Sequence, residues 1–408
     1  MTEFNYVDRS FPFSILKRTQ SKSTMEENPS YKTTVPMQPA LSDNETRPFE
    51  VFQQTPPDDL LQSFHALYKQ ANVYWGIEYN LHEKIGAGGQ GIVFRADRIG
   101  AYGTQFRQAI KFFSPESYPS VAAYQHEMMR IAQVSAKLAQ MQGDHLLQLH
   151  NFTEQNGIHM LVMEYLDGFD LSYLLQRNLH EALKESLPKK RWESLNDVVV
   201  TRSENVVRLK PGIAIAILRH CLAGLSAMHR NSIVHADLKP ANVMVKQTGL
   251  TKLIDFGSAF MINELPDRQT WTPRYAAVEL LEGAGHSVAS DLASLGYVLY
   301  EMLSGKPPFP RFKTLHDLIT QKYNFPEMLK KKLPPDVAQN DLLMGLIRGL
   351  IDPDPAKRFP SAEAAELQDS GASAFHRQLV LGDLATNYDH DIRLWMEDVA
   401  RIPRLEAS

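Results

Sequence analysis

The stretch GAGGQG, Gly86 to Gly91, limits most what this chain can fold into. It fits G-x-G-x-x-G, which alone is a weak signal: glycine-rich hairpins are common turns, and dinucleotide-binding folds use the same spacing. The residues that follow separate the readings. A dinucleotide fold needs a helix directly after the glycines. Here IVFRADRI follows, rich in strand formers. The glycines therefore belong to a strand–turn–strand. Glycine has no Cβ, so at Gly86, Gly88, Gly89 and Gly91 the backbone of such a turn, which also holds Ala87 and Gln90, can approach a polyphosphate closely.

The neighbouring segments extend this pattern. YNLHEKIGAGGQGIVFRADRI alternates around the glycines, and QFRQAIKFF reads as a further strand after a turn holding Gly100 and Gly103. VAAYQHEMMRIAQVSAKLAQM has helical spacing, HLLQLHNF and IHMLVMEYL are apolar strand candidates, and beyond Gly168 the chain turns mainly helical. A strand-rich part with one helix, then a helix-rich part, predicts an α+β chain of two lobes. Ahead of them, residues 1–55 are rich in Pro, Ser, Thr, Asn and Glu with no sustained period, and read as a disordered tail. Over 56–78 a short helical lead-in is expected, because Leu60, Leu61, Phe64, Leu67 and Tyr68 fall on one helical face. Residues 177–210 look like an insertion, polar and mildly basic. A solvated loop is the expected reading and a partner-docking surface the alternative. For the C-terminal extension, 367–408, helix is expected, packed on the large lobe or docking a partner.

Three groups of polar residues carry chemistry. Lys111 lies in AIKFF, flanked by Ala109, Ile110, Phe112 and Phe113, so its ammonium needs an anionic partner. Glu127 on the following helix could orient it, with bound phosphates as the main counter-charge. Glu116 competes, but lies in a proline-bounded loop. SIVHADLKPANVMV places Asp237 and Asn242 on one loop, and LIDFGSA supplies Asp255 after another apolar strand. Two carboxylates and an amide at adjacent strand ends can hold Mg²⁺ and orient a hydroxyl. Asx-turn chemistry would explain any one of them. It does not explain all three together with the glycine loop and the lysine.

With these motifs in order, the chain from Tyr79 to Glu366 resembles a eukaryotic-type serine/threonine protein kinase. The resemblance implies a bilobal kinase fold: a small antiparallel-sheet lobe with one helix over 79–165, and a larger, mainly helical lobe over 166–366. It implies ATP and Mg²⁺, or Mn²⁺ in its place, as cofactors, and proteins with Ser/Thr acceptors as substrates. Residue by residue, Gly86, Gly88 and Gly91 correspond to the glycine-rich loop, Lys111 to the phosphate-binding lysine and Glu127 to its helix partner. Asp237 corresponds to the catalytic base, Lys239 to the lysine of the serine/threonine branch, and Asn242 and Asp255 to the metal ligands. LVMEYLDGFDL resembles the hinge, with backbone groups of Glu164 and Leu166 facing adenine, Asp170 near the ribose and Met163 guarding the pocket behind. Val93, Ala109 and Met244 would sandwich the purine. Thr272, in WTPRYAAVELL, would bond Asp237 and Lys239. Asp291 would be buried near the catalytic loop, and Arg358 would pair with Glu279. Three residues depart from the pattern: Ala236 stands where arginine usually precedes the catalytic aspartate, Val278 replaces a proline, and Trp271 replaces a glycine. Ala236 has no charge to hold a phosphate on the activation segment, Asp255 to Glu279, which carries Ser258, Thr270 and Thr272. The resemblance therefore implies a kinase of the non-RD type, independent of phosphorylation there. Two rivals are a pseudokinase scaffold and a small-molecule kinase; Lys239 argues against a tyrosine-specific enzyme.

Composition bounds the remainder. A net charge of −4 and a pI near 6.4 supply no pull toward nucleic acid. The single cysteine, Cys221, excludes an intrachain disulfide or a thiolate metal cluster. The N-terminus does not read as a secretory signal, and no run of eighteen apolar residues suggests a membrane span. PGIAIAILRHCLAGLSAMH, the most apolar helix candidate, carries Arg219 and His220 in its middle and is expected to be a buried core helix. A cytoplasmic protein is expected.

Overall fold

Residues 58–70, 72–74, 78–141, 143–202, 206–264, 271–381 and 388–403 are described by a computed structural model. The expected tail over 1–55 and Thr270 lie outside these residues. Helix α1 (Asp58–Tyr68) is followed by β1 (Asn72–Tyr74), β2 (Glu78–Gly88), β3 (Gly91–Ile99) and β4 (Gln105–Phe113). Helix α2 (Val121–Ala139) then leads to β5 (Leu149–Gln155) and β6 (Ile158–Glu164). The six strands form one antiparallel sheet in the order β1-β2-β3-β4-β6-β5. The lead-in is thus a helix and an added edge strand: Val73 pairs with Tyr79. Leu60, Phe64 and Leu67 of α1 are buried against the small lobe, as their helical spacing predicts. Helix α2 starts where the Ser120 side chain accepts the Ala123 N–H, at 3.2 Å, and buries Tyr124, Met128, Ile131 and Val134.

The large lobe opens with β7 (Gly168–Asp170) and α3 (Leu171–Leu174). The insertion follows as α4 (Arg177–Ser186), α5 (Lys189–Val198), β8 (Val200–Arg202) and β9 (Val207–Leu209). Next come α6 (Pro211–Arg230), β10 (Ile233–Val234), β11 (Val243–Lys246), β12 (Thr251–Leu253) and β13 (Phe260–Met261). The remaining helices are α7 (Val278–Leu281), α8 (Val288–Ser304), α9 (Leu315–Lys332), α10 (Pro335–Ala338), α11 (Asp341–Ile351), α12 (Ala362–Leu367), α13 (Ala372–Leu381) and α14 (Tyr388–Ala400). Helix α6 is long and apolar enough to cross a membrane, but thirteen of its residues are buried in the core of this lobe. Helix α8 is buried along nearly its whole length, and a reciprocal cap between Ser287 and Ser290 starts it.

The expectation of a solvated loop over 177–210 is corrected by the structure. The segment folds because its polarity is only an average: Leu179, His180 and Leu183 make a narrow inward stripe on α4, and all three are buried. The C-terminal extension covers that stripe. Helix α14 packs on α4, α6 and β11, with Trp395 fully buried near the His180 ring and Arg191 of α5 paired with Asp398 at 2.7 Å. The open choice between lobe and partner is decided for α14 in favour of the lobe.

His180 titrates as a consequence of this packing. Its Nε2 donates to the Leu174 carbonyl at 2.7 Å, and burial pushes its pKa from 6.5 down to about 4. Above pH 6.5 the imidazole is neutral folded or unfolded. As pH falls from 6.5 toward 4 the unfolded chain takes the proton first, so stability is lost over that window. Wild type should lose about 2 kcal/mol more than His180→Gln between pH 7 and 5, in denaturant titrations at each pH. Parallel pH profiles for the two proteins would contradict this.

Candidate active site

The small and large lobes meet where Lys111 of β4 reaches Asp255, 2.6 Å away. At the roof of the site, β2 and β3 close the glycine turn. Gly91 has φ +145°, and a Cβ there would lie 1.9 Å from the Phe112 carbonyl oxygen, so the position requires glycine. A Cβ on Gly88 or Gly89 would meet nothing within 4 Å. The turn is tethered from outside. Ser117 Oγ donates to the Gly89 carbonyl at 2.7 Å and the Ser114 N–H to the Gln90 carbonyl at 3.0 Å. Strand register does the rest of the alignment. Val93 pairs with Lys111, Ala109 with Met163, and Lys111 with Leu161, so these side chains share one face of the sheet. Met244 pairs with Asp170 from below.

At the hinge, the Glu164 N–H donates to the Gln148 carbonyl at 2.9 Å, so that group is engaged within the protein. The Glu164 carboxylate takes the Gln148 N–H at 2.7 Å and the buried Lys252 ammonium. Leu166 is buried beside it. Asp170 caps α3, accepting from the Tyr173 N–H at 3.1 Å and from Ser172 Oγ. Lys252 was not anticipated, although a lysine within the apolar run of TKLI is the same signal that marked Lys111.

The floor is a dense polar network. Asp237 accepts Lys239 Nζ at 2.6 Å and Thr272 Oγ1 at 2.8 Å. Asn242 Nδ2 donates to the Asp237 carbonyl at 2.7 Å. Lys239 also reaches Thr272, at 3.3 Å. The loop is held from beneath by Asp291, whose carboxylate accepts the N–H groups of His235 and Ala236 at 2.8 and 2.9 Å and His229 Nε2 at 2.9 Å. Burial pushes the Asp291 carboxyl up, but the bonds and charges of His229 and His235 outweigh it and leave its pKa below the usual carboxylate range. Ala236 needs that grip: its φ is +67°, a conformation that costs a non-glycine residue free energy. Val278 stands at the first position of α7, where a proline would lack an N–H that the helix does not use, so this departure alters no helical hydrogen bond.

Lys111 joins the lobes. Its Nζ lies 2.6 Å from Asp255 Oδ1 and 2.8 Å from Gln90 Oε1. Burial raises the Asp255 pKa, but Lys111, the Gly257 N–H and His235 more than reverse this, and the carboxyl ends below its ordinary value. The expected Lys111–Glu127 pair is not formed, which corrects that assignment. Both oxygens of Glu127 are taken by Arg130, Nε at 2.9 Å and Nη2 at 2.6 Å, one helical turn away on α2. A forked guanidinium outcompetes a single ammonium for a carboxylate already three residues from it. Arg130 also donates to the carbonyls of Gly257, at 2.9 Å, and Ala259. Glu116 is no partner of Lys111 either; it faces His65 at 3.8 Å.

The donors fit a hard cation. Asn242 uses its amide nitrogen on Asp237, which leaves Oδ1 as its ligand atom, and Asp255 keeps Oδ2 beside the oxygen bound by Lys111. No group of three or more His, Cys, Asp or Glu that could hold a metal ion lies among the described residues, so a cation held by Asn242 and Asp255 would need further oxygen ligands from outside the protein.

Residues 79–368 match the protein kinase domain family. The chain belongs to the protein kinases. Among its relatives are the serine/threonine-protein kinases PknD of Mycobacterium tuberculosis, 29% identical over 288 residues, and PknA of Corynebacterium glutamicum, 26% identical over 302. PkaA of Streptomyces coelicolor is 30% identical over 249 residues. These alignments cover 70%, 72% and 57% of this chain but 38%, 55% and 40% of the relatives, so the kinase spans about half or less of their length. The sheet lobe and helical lobe are the bilobal kinase fold.

Arg358 ties the end of the activation segment of this kinase to its large lobe. Its side chain is 1% exposed, and its guanidinium meets both oxygens of Glu279 at 2.7 Å and donates to the carbonyls of Asp352 and Ala289. Arg358→Met should destabilise the fold by about 3–5 kcal/mol, because the Glu279 carboxylate loses its counter-charge. Chemical denaturation measures this; a loss below 1 kcal/mol would show the pair to be dispensable.

Proposed function

We propose that this chain catalyses Mg²⁺-dependent transfer of the γ-phosphoryl group of ATP to serine or threonine hydroxyls of protein substrates. The observation that carries this reading is the Asp237–Lys239–Thr272 network, with hydrogen bonds of 2.6 to 3.3 Å, in the same molecule as the Lys111–Asp255 pair at 2.6 Å. Catalysis of this kind is mostly positioning and charge neutralisation. Lys111 supplies a fixed cation on the roof, where the glycine backbone admits the phosphate chain. Asp237 is aimed at the cleft mouth by Thr272 and Asn242, so it can accept a hydroxyl hydrogen and orient the oxygen. Lys239, bound to Asp237, supplies positive charge beside the transferred group. Asp255 and Asn242 would hold Mg²⁺, which supplies neutralisation of phosphate charge. Ala109, Met163, Val93 and Met244 form the apolar walls suited to a purine ring, next to the backbone of Glu164 and Leu166.

A second reading has one observation in its favour. Glu127 is withheld from Lys111, as in a nucleotide-binding scaffold that transfers nothing. Turnover separates the two. With [γ-³²P]ATP and Mg²⁺, wild type should label serine or threonine in itself or in a protein substrate. Asp237→Ala and Lys111→Met should abolish labelling while circular dichroism stays native. Wild-type silence, or full labelling by either variant, refutes the assignment.

The regulation we propose follows from Ala236. Its N–H is anchored on Asp291, and its methyl offers no charge to a phosphorylated activation segment. The catalytic loop is therefore held without a phosphate. Phosphatase-treated enzyme and Thr270→Ala should keep activity within about twofold of untreated wild type; a loss of about tenfold or more would show a phosphate-dependent shape.

A further inference from the structure

The four hydrogen bonds of Arg130 do more than pair a surface helix residue. Its side chain is 11% exposed, and the carboxylate at hand is Glu127. Through Gly257 and Ala259, Arg130 grips the chain directly after Asp255, whose own backbone is left-handed at φ +61°. Such a turn holds its shape only when its neighbours fix it. The guanidinium fixes it from the small lobe. Nothing charged is available to do so from position 236, where alanine stands.

We propose that Arg130 is a positioning residue for the metal-binding turn, with Glu127 serving as the counter-charge of Arg130 in place of a partner for Lys111. Each arm of the arrangement excludes the alternative. Glu127 spends both oxygens on the guanidinium, so moving it to Lys111 would leave a largely buried cation with carbonyls alone. Lys111 meanwhile is satisfied by Asp255 and Gln90. The small lobe therefore holds Asp255 and its turn by two routes, one from α2 and one from β4. The Arg130 grip sets the backbone of the turn, and Lys111 on β4 sets its carboxylate. A lysine at 130 would keep the charge but not the fork that reaches a carboxylate and two carbonyls together.

This inference rests on the kinase reading, and its test is built on nucleotide binding so that the two can fail separately. The probe is a fluorescent ATP analogue, titrated into the full chain in Mg²⁺ and in EDTA. Wild type should bind more tightly in Mg²⁺. Arg130→Ala should lose about tenfold in Mg²⁺ and less than about twofold in EDTA, because the turn that aims Asp255 is released while the purine walls and Lys111 remain. Arg130→Lys should recover only part of the loss. Glu127→Gln should behave as Arg130→Ala does, and the double variant should be no worse than the weaker single, since the two side chains act as one unit. Retention of the full Mg²⁺ effect by Arg130→Ala overturns the proposal. So does a Glu127→Gln defect of equal size in EDTA, which would return Glu127 to Lys111, and so does a double variant whose losses add. Wild type that binds with the Mg²⁺ effect but never transfers phosphate sinks the kinase reading and leaves this inference standing. Wild type without any Mg²⁺ effect overturns both.

Discussion

A buried carboxylate, Asp291, carries the catalytic loop. It sits in the first turn of α8 at 2% side-chain exposure, and its two oxygens take the N–H groups of His235 and Ala236 together with the His229 ring. A buried anion is costly unless its hydrogen-bonding capacity is filled. Here the partners that fill it are the backbone groups that must be fixed for Asp237 to face the cleft. The left-handed backbone at Ala236 is strained locally and is offset by the two charge-assisted hydrogen bonds that the loop N–H groups donate to a carboxylate on a buried helix. The positions of Asp237, Lys239, Asn242 and Thr272 follow from that one anchor.

The upper half of the site is held differently. There the contacts run between lobes: Lys111 to Asp255, Gln90 Nε2 to Ser258 Oγ at 3.3 Å, Arg130 to the carbonyls after Asp255, and Glu164 to Lys252. Each joins a small-lobe or hinge group to the large lobe, and most are charge-assisted. They are strong at close range, but they depend on geometry to an extent that apolar packing does not. The floor is therefore built on a core helix and the roof on a set of polar links.

Much of this was legible beforehand, for reasons that can be traced to particular residues. The strand after Gly91 marked the glycine turn as a hairpin. An ammonium among Ala109, Ile110, Phe112 and Phe113 had to find an anion. Asp237, Asn242 and Asp255, each at a strand end, had to converge. These are local signals, readable within a few residues. The partner of Lys111 was not legible, because Glu127 and Arg130 lie on the same turn of α2 and only the approach of Gly257 and Ala259 decides which cation the carboxylate meets. The folded insertion was missed because charged residues on the outer faces of α4 and α5 mask Leu179, His180, Leu183 and Leu195, whose cover, Trp395, lies some two hundred residues further on.

Residue type and spacing set the order of the parts: a glycine hairpin, a lysine strand, a helix, then two loops bearing an acid, an amide and a second acid. Those follow from residue type and short-range periodicity, which no distant contact can alter. Which charges pair is set by the folded chain. Ion pairs form between groups that folding brings within a few ångströms, and in this cleft several ammonium, guanidinium and carboxylate groups lie close enough to exchange partners. Lys111 with Asp255, Arg130 with Glu127 and Lys239 with Asp237 is one of several pairings the sequence permits. Packing of α2 against the turn after Asp255, and of α8 beneath Ala236, selects it.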